Sequence, residues 1–249
     1  MEPVHTRAFL LRQVDTGESD RVVTLLTEAL GKVSAIARGA RKSRKRFGAA
    51  LSLFVLAEAE LQRRASSDLY VLTSYDALAL HANIGLDIAA IAHASYATEL
   101  VRELIAKAQP EPGMFGLLLE MYQQLSTEKP SSERLRVLEL QLLTHAGLAP
   151  QLDSCVGCGQ LVDRDSAPIG MDVARGGVLC PGCVTPVQTI LPATHAALLQ
   201  VRGLALGEAD SLVVSDAVRR ELRATLAEIL LHTLGKPLKS VQFIQKLGK

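Results

Sequence analysis

Four cysteines fall in one short stretch of the chain as two Cys-x-x-Cys pairs, Cys155-Val-Gly-Cys158 and Cys180-Pro-Gly-Cys183, separated by 21 residues. This pattern constrains the fold more than any other feature. A tight turn between paired cysteines aims both sulfurs inward, and Gly157, Gly159 and Gly182 let the backbone make that turn. The spacing is close to that of a zinc ribbon. Four thiolates leave no open coordination position, so the expected ion is one structural zinc per chain, clamping residues 152–186, where few apolar side chains offer a core. Free thiols, two adjacent disulfides and a tetrahedral iron site are the alternatives. A catalytic zinc of the deaminase type is not expected, because none of the six histidines is followed two residues later by Glu.

Ahead of this segment the chain changes period. Val4 to Leu11, Val22 to Thr27, Lys32 to Ala37, Leu51 to Leu61 and Leu69 to Tyr75 read as five short strands, with Leu30-Gly31-Lys32 and Arg63 to Asp68 closing hairpins. Five strands in so short a length cannot cover both faces of an open sheet, so a small barrel without edges, OB-like, is expected. From Leu86 the apolar residues recur at helical spacing through Ala90, His93, Ala97, Leu100 and Leu104. Further helices are expected over Met114 to Leu125, from Ser132 towards Gly147, from Pro192 to Gly203, and from an N-cap at Ser215 to a stop at Gly235. The fold class is therefore α+β: an N-terminal barrel over 1–80, then a helical domain over 81–249 interrupted by the cysteine insertion.

Charge divides along the same lines. The net charge is only +1, yet residues 1–80 hold twelve Lys/Arg against nine Asp/Glu, and residues 236–249 hold four against none. Between Ala29 and Ala57 there are seven cations and no acid: Lys32, Arg38, Arg41, Lys42, Arg44, Lys45 and Arg46. A mobile cationic arm on one side of the barrel would attract phosphates and gain affinity by counterion release, without reading sequence. The alternative is a solvated charge run. Base stacking has little to work with, since Phe9, Phe47, Phe54, Tyr70 and Tyr75 are the only aromatic residues of this region and a small barrel needs several inside. Lys236 and Lys239, with Lys246 and Lys249, form a weaker basic site for DNA or a partner, beside Leu238, Val241 and Ile244; a cationic helix end with a solvated tail explains them equally well.

Other classes find no support. No apolar run approaches the roughly 18 residues of a membrane helix, and the start has no signal-peptide pattern, so a soluble cytoplasmic protein is expected. Phosphate-loop, dinucleotide, zinc-protease and nucleophile-elbow motifs are missing, and no enzyme activity is expected. Asp15, Glu18 and Asp20, and Glu58 with Glu60, read as exposed charges, and His93 as a packed helix residue.

With those residues placed, the chain resembles the RecO family of bacterial recombination mediators. The likeness lies in Gly17-Glu-Ser-Asp-Arg-Val-Val-Thr-Leu-Leu-Thr-Glu28, Leu30-Gly31-Lys32, Ala37-Arg-Gly-Ala-Arg-Lys-Ser-Arg44, Gly147-Leu-Ala-Pro150, the Cys155 and Cys158 knuckle, Gly176 to Cys183, and Leu238-Lys239-Ser240. This ordered series covers most of the chain. The resemblance implies an OB domain, a helical body and an inserted zinc finger. It also implies binding of single- and double-stranded DNA, strand annealing, association with RecR, and engagement of the acidic C-terminal tail of single-strand-binding protein so that RecA is loaded at gaps. The paucity of barrel aromatics departs from the usual OB pattern. Two rivals stand beside this reading: an RNA-binding or ribosome-associated OB protein, and a zinc-bearing adaptor that binds only protein.

Overall fold

The computed structural model describes residues 2–43, 46–47, 50–63, 68–106, 109–163, 167–184 and 189–247, with side chains to 244. The chain forms two compact units, one of residues 1–129 with 243–249 and one of 130–242.

The first unit begins with β1 (Val4–Thr16), β2 (Asp20–Thr27), β3 (Gly31–Ala37), β4 (Leu56–Gln62) and β5 (Tyr70–Ala79), closed as a barrel in the order β1-β2-β3-β5-β4. All neighbours are antiparallel except β3 and β5, which meet in parallel at Ala35 and Ile36. Closure satisfies every strand edge within one small sheet, as the strand count demanded. Alternation decides which face is inside: in β3, Val33, Ala35 and Ala37 are buried while Lys32, Ser34 and Ile36 are only partly covered. β1 runs five residues past the expected Leu11. A bulge between Leu10 and Arg12 breaks the alternation there, and the strand then continues as a long hairpin with β2 around Gly17. β4 starts at Leu56 rather than Leu51, because the preceding residues turn inward to close the barrel end. Residues 64–67, within the expected hairpin between β4 and β5, lie outside the described residues.

Gly31 is the tightest point of this unit. Its φ is +68°, and a Cβ built there would lie 1.8 Å from the carbonyl oxygen of Gln109. Only glycine meets both demands.

α1 (Ile88–Leu104) and α2 (Pro112–Thr127) complete the unit, α1 opening on the Asp87 carboxylate, which accepts from the Ala89 amide at 2.8 Å. Phe9 points out of the barrel against Phe115 and Tyr122 of α2, with ring centroids 5.2 Å apart in both pairs. The expected helix start at Leu86 is corrected. Ala82–Leu86 is a 3-10 turn, and Leu86 is 85% exposed rather than part of the buried face.

The second unit holds α3 (Ser132–His145), α4 (Pro192–Gly203) and α5 (Asp216–Leu234). Gly147, at φ +70°, ends α3: its amide bonds to Thr144 and that of Leu148 to Leu143, the paired closure that a left-handed residue permits. Between α3 and α4 stands a three-stranded sheet of β6 (Ile169–Asp172), β7 (Gly177–Leu179) and β8 (Thr189–Ile190), in the order β7-β6-β8. It buries Leu152, Ile169, Met171, Val178, Leu179 and Ile190. The cysteine segment thus has apolar side chains of its own to pack, which corrects the expectation that it has few. Those residues are spread along the segment, and only the folded sheet gathers them. α6 (Lys239–Leu247) ends the described chain.

Candidate metal centre and nucleic-acid interface

The two cysteine pairs come together on neighbouring knuckles. In the first, the Cys155 amide bonds to the Gln160 carbonyl, and Gly159, at φ +79°, returns its amide to Cys155. In the second, the amides of Cys183 and Val184 both reach the Cys180 carbonyl at 3.0 Å. Strand β7 ties the knuckles together, since the Val156 amide bonds to Val178 at 2.9 Å. Gly157 is needed for closeness: a Cβ there would lie 3.2 Å from the Cys183 Cβ.

All four Sγ atoms lie within 4.8 Å of one another, and those of Cys158 and Cys180 are 3.7 Å apart. A tetrahedron of sulfurs about 2.3 Å from an ion has edges of about 3.8 Å, so the donor set can hold a metal ion. Electrostatics agree. Burial pushes the Cys155 thiol up, but amide hydrogen bonds from Cys180, Cys158 and Gly157 outweigh it and bring the thiol down to about 6. Hydrogen bonding with Cys158, Cys180 and Cys155 pushes Cys183 up to about 12. A cation placed among the four sulfurs would favour the thiolate at each of them.

The finger is anchored to α4. Buried His195 meets the Leu152 carbonyl through Nε2 at 2.7 Å, and Arg202 grips Asp153 with two bonds of 2.6 and 2.9 Å. Hydrogen bonds from Arg202 hold the Asp153 carboxyl below the usual carboxylate range.

The basic residues divide. Lys32 lies on the half of the barrel's outer face that α1 covers, and its Nζ donates to the Arg102 carbonyl at 2.6 Å. Arg38, Arg41, Lys42 and Arg46 are exposed in the segment after β3. Arg44 and Lys45 lie outside the described residues. Among the described residues the mobile arm is corrected, because residues 38–43, 46–47 and 50–51 are pinned to the barrel end: Ala40, Phe47, Ala50 and Leu51 are buried in the barrel core, and the Gly39 amide donates to Asp20 at 2.8 Å. The amide of Gly39, the Ser19 hydroxyl and the nearby Arg38 keep Asp20 ionised below the usual carboxylate range. Arg41 approaches Asp15 at 3.5 Å, and Arg46 donates to the Arg38 carbonyl while lying 5.4 Å over the Phe47 ring. Among the described residues, Arg38 and Lys42 form no ion pair.

Sequence reasoning missed the other half of this end. By register Arg12 lies opposite Thr24, Thr24 opposite Ser34, and Val14 opposite Val22, so these side chains share the outer face that leads to Arg38. Arg12 and Val14 are exposed there, and Arg21 is bound to Asp15 at 2.8 Å. Gly17, a turn residue between Arg12 to Thr16 and the next strand, was the available signal. Phe47 and Tyr75 are buried in the barrel and Phe9 against α2, which leaves few rings on this face for stacking. In the second unit, Lys236 and Lys239 are exposed.

Fold and site together define a class: an OB-type barrel with a basic end, followed by helices that carry a four-cysteine finger. Comparison with known proteins narrows it. Residues 1–81 match the family described as recombination protein O N terminal, and residues 85–242 match recombination protein O C terminal. A DNA repair protein RecO of Anaeromyxobacter sp. (strain K) is 43% identical over 251 residues, covering 100% of this chain and 98% of that protein. Those of Myxococcus xanthus (strain DK1622) and Geobacter sulfurreducens are each 36% identical and cover 99% or more of both chains. The chain belongs to the RecO family of DNA repair proteins. Among the described residues, no helix is long and apolar enough to cross a membrane.

Proposed function

We propose that this protein is a recombination mediator without enzymatic activity, which binds single- and double-stranded DNA at the basic end of its barrel and lowers the repulsion between two strands so that they anneal. The observation that supports this most is the pinned segment after β3. Arg38 and Lys42 are held at the surface beside Arg12, Arg41 and Arg46, on the outer face where OB barrels receive nucleic acid. Asp15 and Asp20 draw off part of this charge, but with Arg44 and Lys45 in the same segment the cations still outnumber the acids. Lys32 is spent on α1 and contributes least. A cation fixed at the surface loses less entropy on meeting a phosphate than one on a mobile arm. Binding by counterion release is tolerant of sequence.

One structural zinc per chain fits the closed set of Cys155, Cys158, Cys180 and Cys183, since soft thiolates in a tetrahedron favour zinc and leave no position for a substrate. When bound, the ion supplies charge neutralisation and holds the knuckles. The wider role follows the family: association with RecR, engagement of the tail of single-strand-binding protein, with Lys236 and Lys239 as a weaker basic site for it or for DNA, and indirectly the loading of RecA, in the cytoplasm at the nucleoid.

An annealing assay with complementary oligonucleotides, with and without single-strand-binding protein and across a salt series, tests the reading. Annealing that fades with salt is expected; absence of annealing at low salt would refute it. Stronger binding of RNA than DNA in competition would favour the ribosome-associated rival.

A further inference from the structure

Among the described residues of the first unit, two non-glycine residues lie in the left-handed region, Phe54 at φ 68° and His81 at φ 45°. Each costs energy that the surrounding packing must offset, and such strain gathers where a protein presents something. The two are in contact: His81 Nδ1 lies 2.6 Å from the Phe54 carbonyl oxygen. Both rings rest edge-on against the fully buried Tyr122, at 5.6 and 5.7 Å, so the strained pair has one rigid support.

The residues immediately before them are Leu53 and Leu80, and both are held out to solvent, 42% and 54% exposed. Leu78, two positions earlier on β5, is 53% exposed, and the same segment continues to Leu86 and Ile88, also exposed. Neither core packing nor DNA binding explains these side chains. An apolar run of this kind on a folded surface marks a contact with another macromolecule.

Charge indicates which kind. Residues 47–62 and 68–101 contain no lysine or arginine, and Glu58 and Asp76 are partners across the ladder; the cation that opposes Glu58, Arg7, is taken by Glu28. Asp76 and Asp87 are exposed beside the leucines. Phosphates are repelled from such a surface, whereas a protein with aliphatic side chains inside a basic rim complements it. We propose that Leu53, Leu78 and Leu80, extended along the chain by Leu86 and Ile88, form a docking surface for a protein partner that presents aliphatic side chains ringed by lysine and arginine. The strained pair is the device that keeps Leu53 and Leu80 turned outward. The basic end of the barrel serves DNA and this surface serves a partner, so both are occupied at once.

The test places a photo-crosslinking phenylalanine analogue at position 80 of the full chain in living bacteria, with position 213 as control because Val213 is 89% exposed with no strained residue beside it. The captured protein is identified, purified and its affinity measured by titration. The expected result is a cross-link specific to position 80, to a segment rich in aliphatic and basic residues. Affinity should fall about tenfold or more in the double variant Leu78→Ser, Leu80→Ser, and several-fold in Asp76→Lys, with DNA affinity and melting temperature unchanged. No cross-link above the control, a cross-link to DNA or to a second copy of the chain, or a double variant that binds as well as the parent would overturn the proposal. DNA affinity is read separately, so the failure of one site is distinguishable from the failure of the other.

Discussion

The barrel and the cysteine finger are both small β-structures, yet different forces hold them. The barrel closes on itself and fills its interior with Leu10, Val23, Leu25, Leu61 and Leu72, so its order comes from burial and a complete ladder. The finger's sheet has three short strands, the last of only two residues, and cannot close. It leans on α4 through His195 and Arg202, and its two knuckles are held by whatever joins four sulfurs. The difference teaches that a short ladder leaves the knuckles to their sulfurs; if these hold the proposed zinc, removing it should loosen the knuckles while sparing the barrel.

The sharpest way to break that comparison is to take away the sulfurs. Replacing Cys155 and Cys180 by Ser should release the metal and destabilise the second unit by several kcal/mol, about half or less of the 10 to 16 kcal/mol that zinc gives finger peptides lacking any other core. Hydrogen exchange should quicken at Val156, Gly159 and Cys183 and stay slow at Val23 and Leu25. Equal loss of protection in the barrel would erase the distinction.

The converse experiment damages the barrel alone. Gly31→Ala puts a Cβ into the Gln109 carbonyl and forces alanine to a positive φ, and should lower stability by roughly 3 kcal/mol while metal content stays at one ion per chain. Thermal unfolding and metal analysis read the two quantities separately.

A smaller effect is expected for the charges that serve the ligand rather than the fold. Arg12, Arg38 and Lys42 form no ion pair among the described residues, so changing all three to Gln should leave the melting temperature within about 2 °C. DNA affinity at moderate salt should still fall about tenfold or more. Reversing Arg41 is a poorer probe, because it sets two carboxylates against each other at Asp15.

The smallest effect concerns acid. Arg7 binds the Glu28 carboxylate through two hydrogen bonds, which hold that carboxyl below its ordinary 4.5. A depressed carboxyl stabilises the fold above its unfolded value, and the contribution disappears as pH falls through the lowered one. Both side chains are about two-fifths exposed, so solvent screening limits the loss to under about 1 kcal/mol. Glu28→Gln should flatten the loss of stability as pH falls below the ordinary 4.5 by that amount in denaturant titrations.

Much of this was legible in the sequence because the governing signals were local. Several helix ends announced themselves: Ser215 as a cap, Pro192 in a first turn, Gly147 and Gly235 as left-handed ends. The cysteine spacing similarly carried its own geometry. What stayed hidden depended on distant partners. The bulge at Leu11 concealed the rest of β1, and with it Arg12, because alternation fails at the residue where the register shifts. Lys32 reads as one more cation until α1 places the Arg102 carbonyl before it. The segment after β3 reads as a polar arm, although Ala40, Phe47 and Leu51 were there to plug a barrel end that only the closed sheet creates. Leu86 fell on the helical spacing by chance, and the cap at Asp87 removes it from the helix.

The central claim is that cations fixed on the plugged end of the barrel bind nucleic acid through phosphate neutralisation, while the finger serves structure. Anisotropy of a labelled single strand, titrated across a salt series with the parent and with the Arg12, Arg38 and Lys42 triple Gln variant, tests it most directly. The account predicts a log-log slope of about −3 to −4 for the parent, shallower by about 2 in the variant. A parent whose affinity ignores salt, or a variant with the parent's slope, would contradict it.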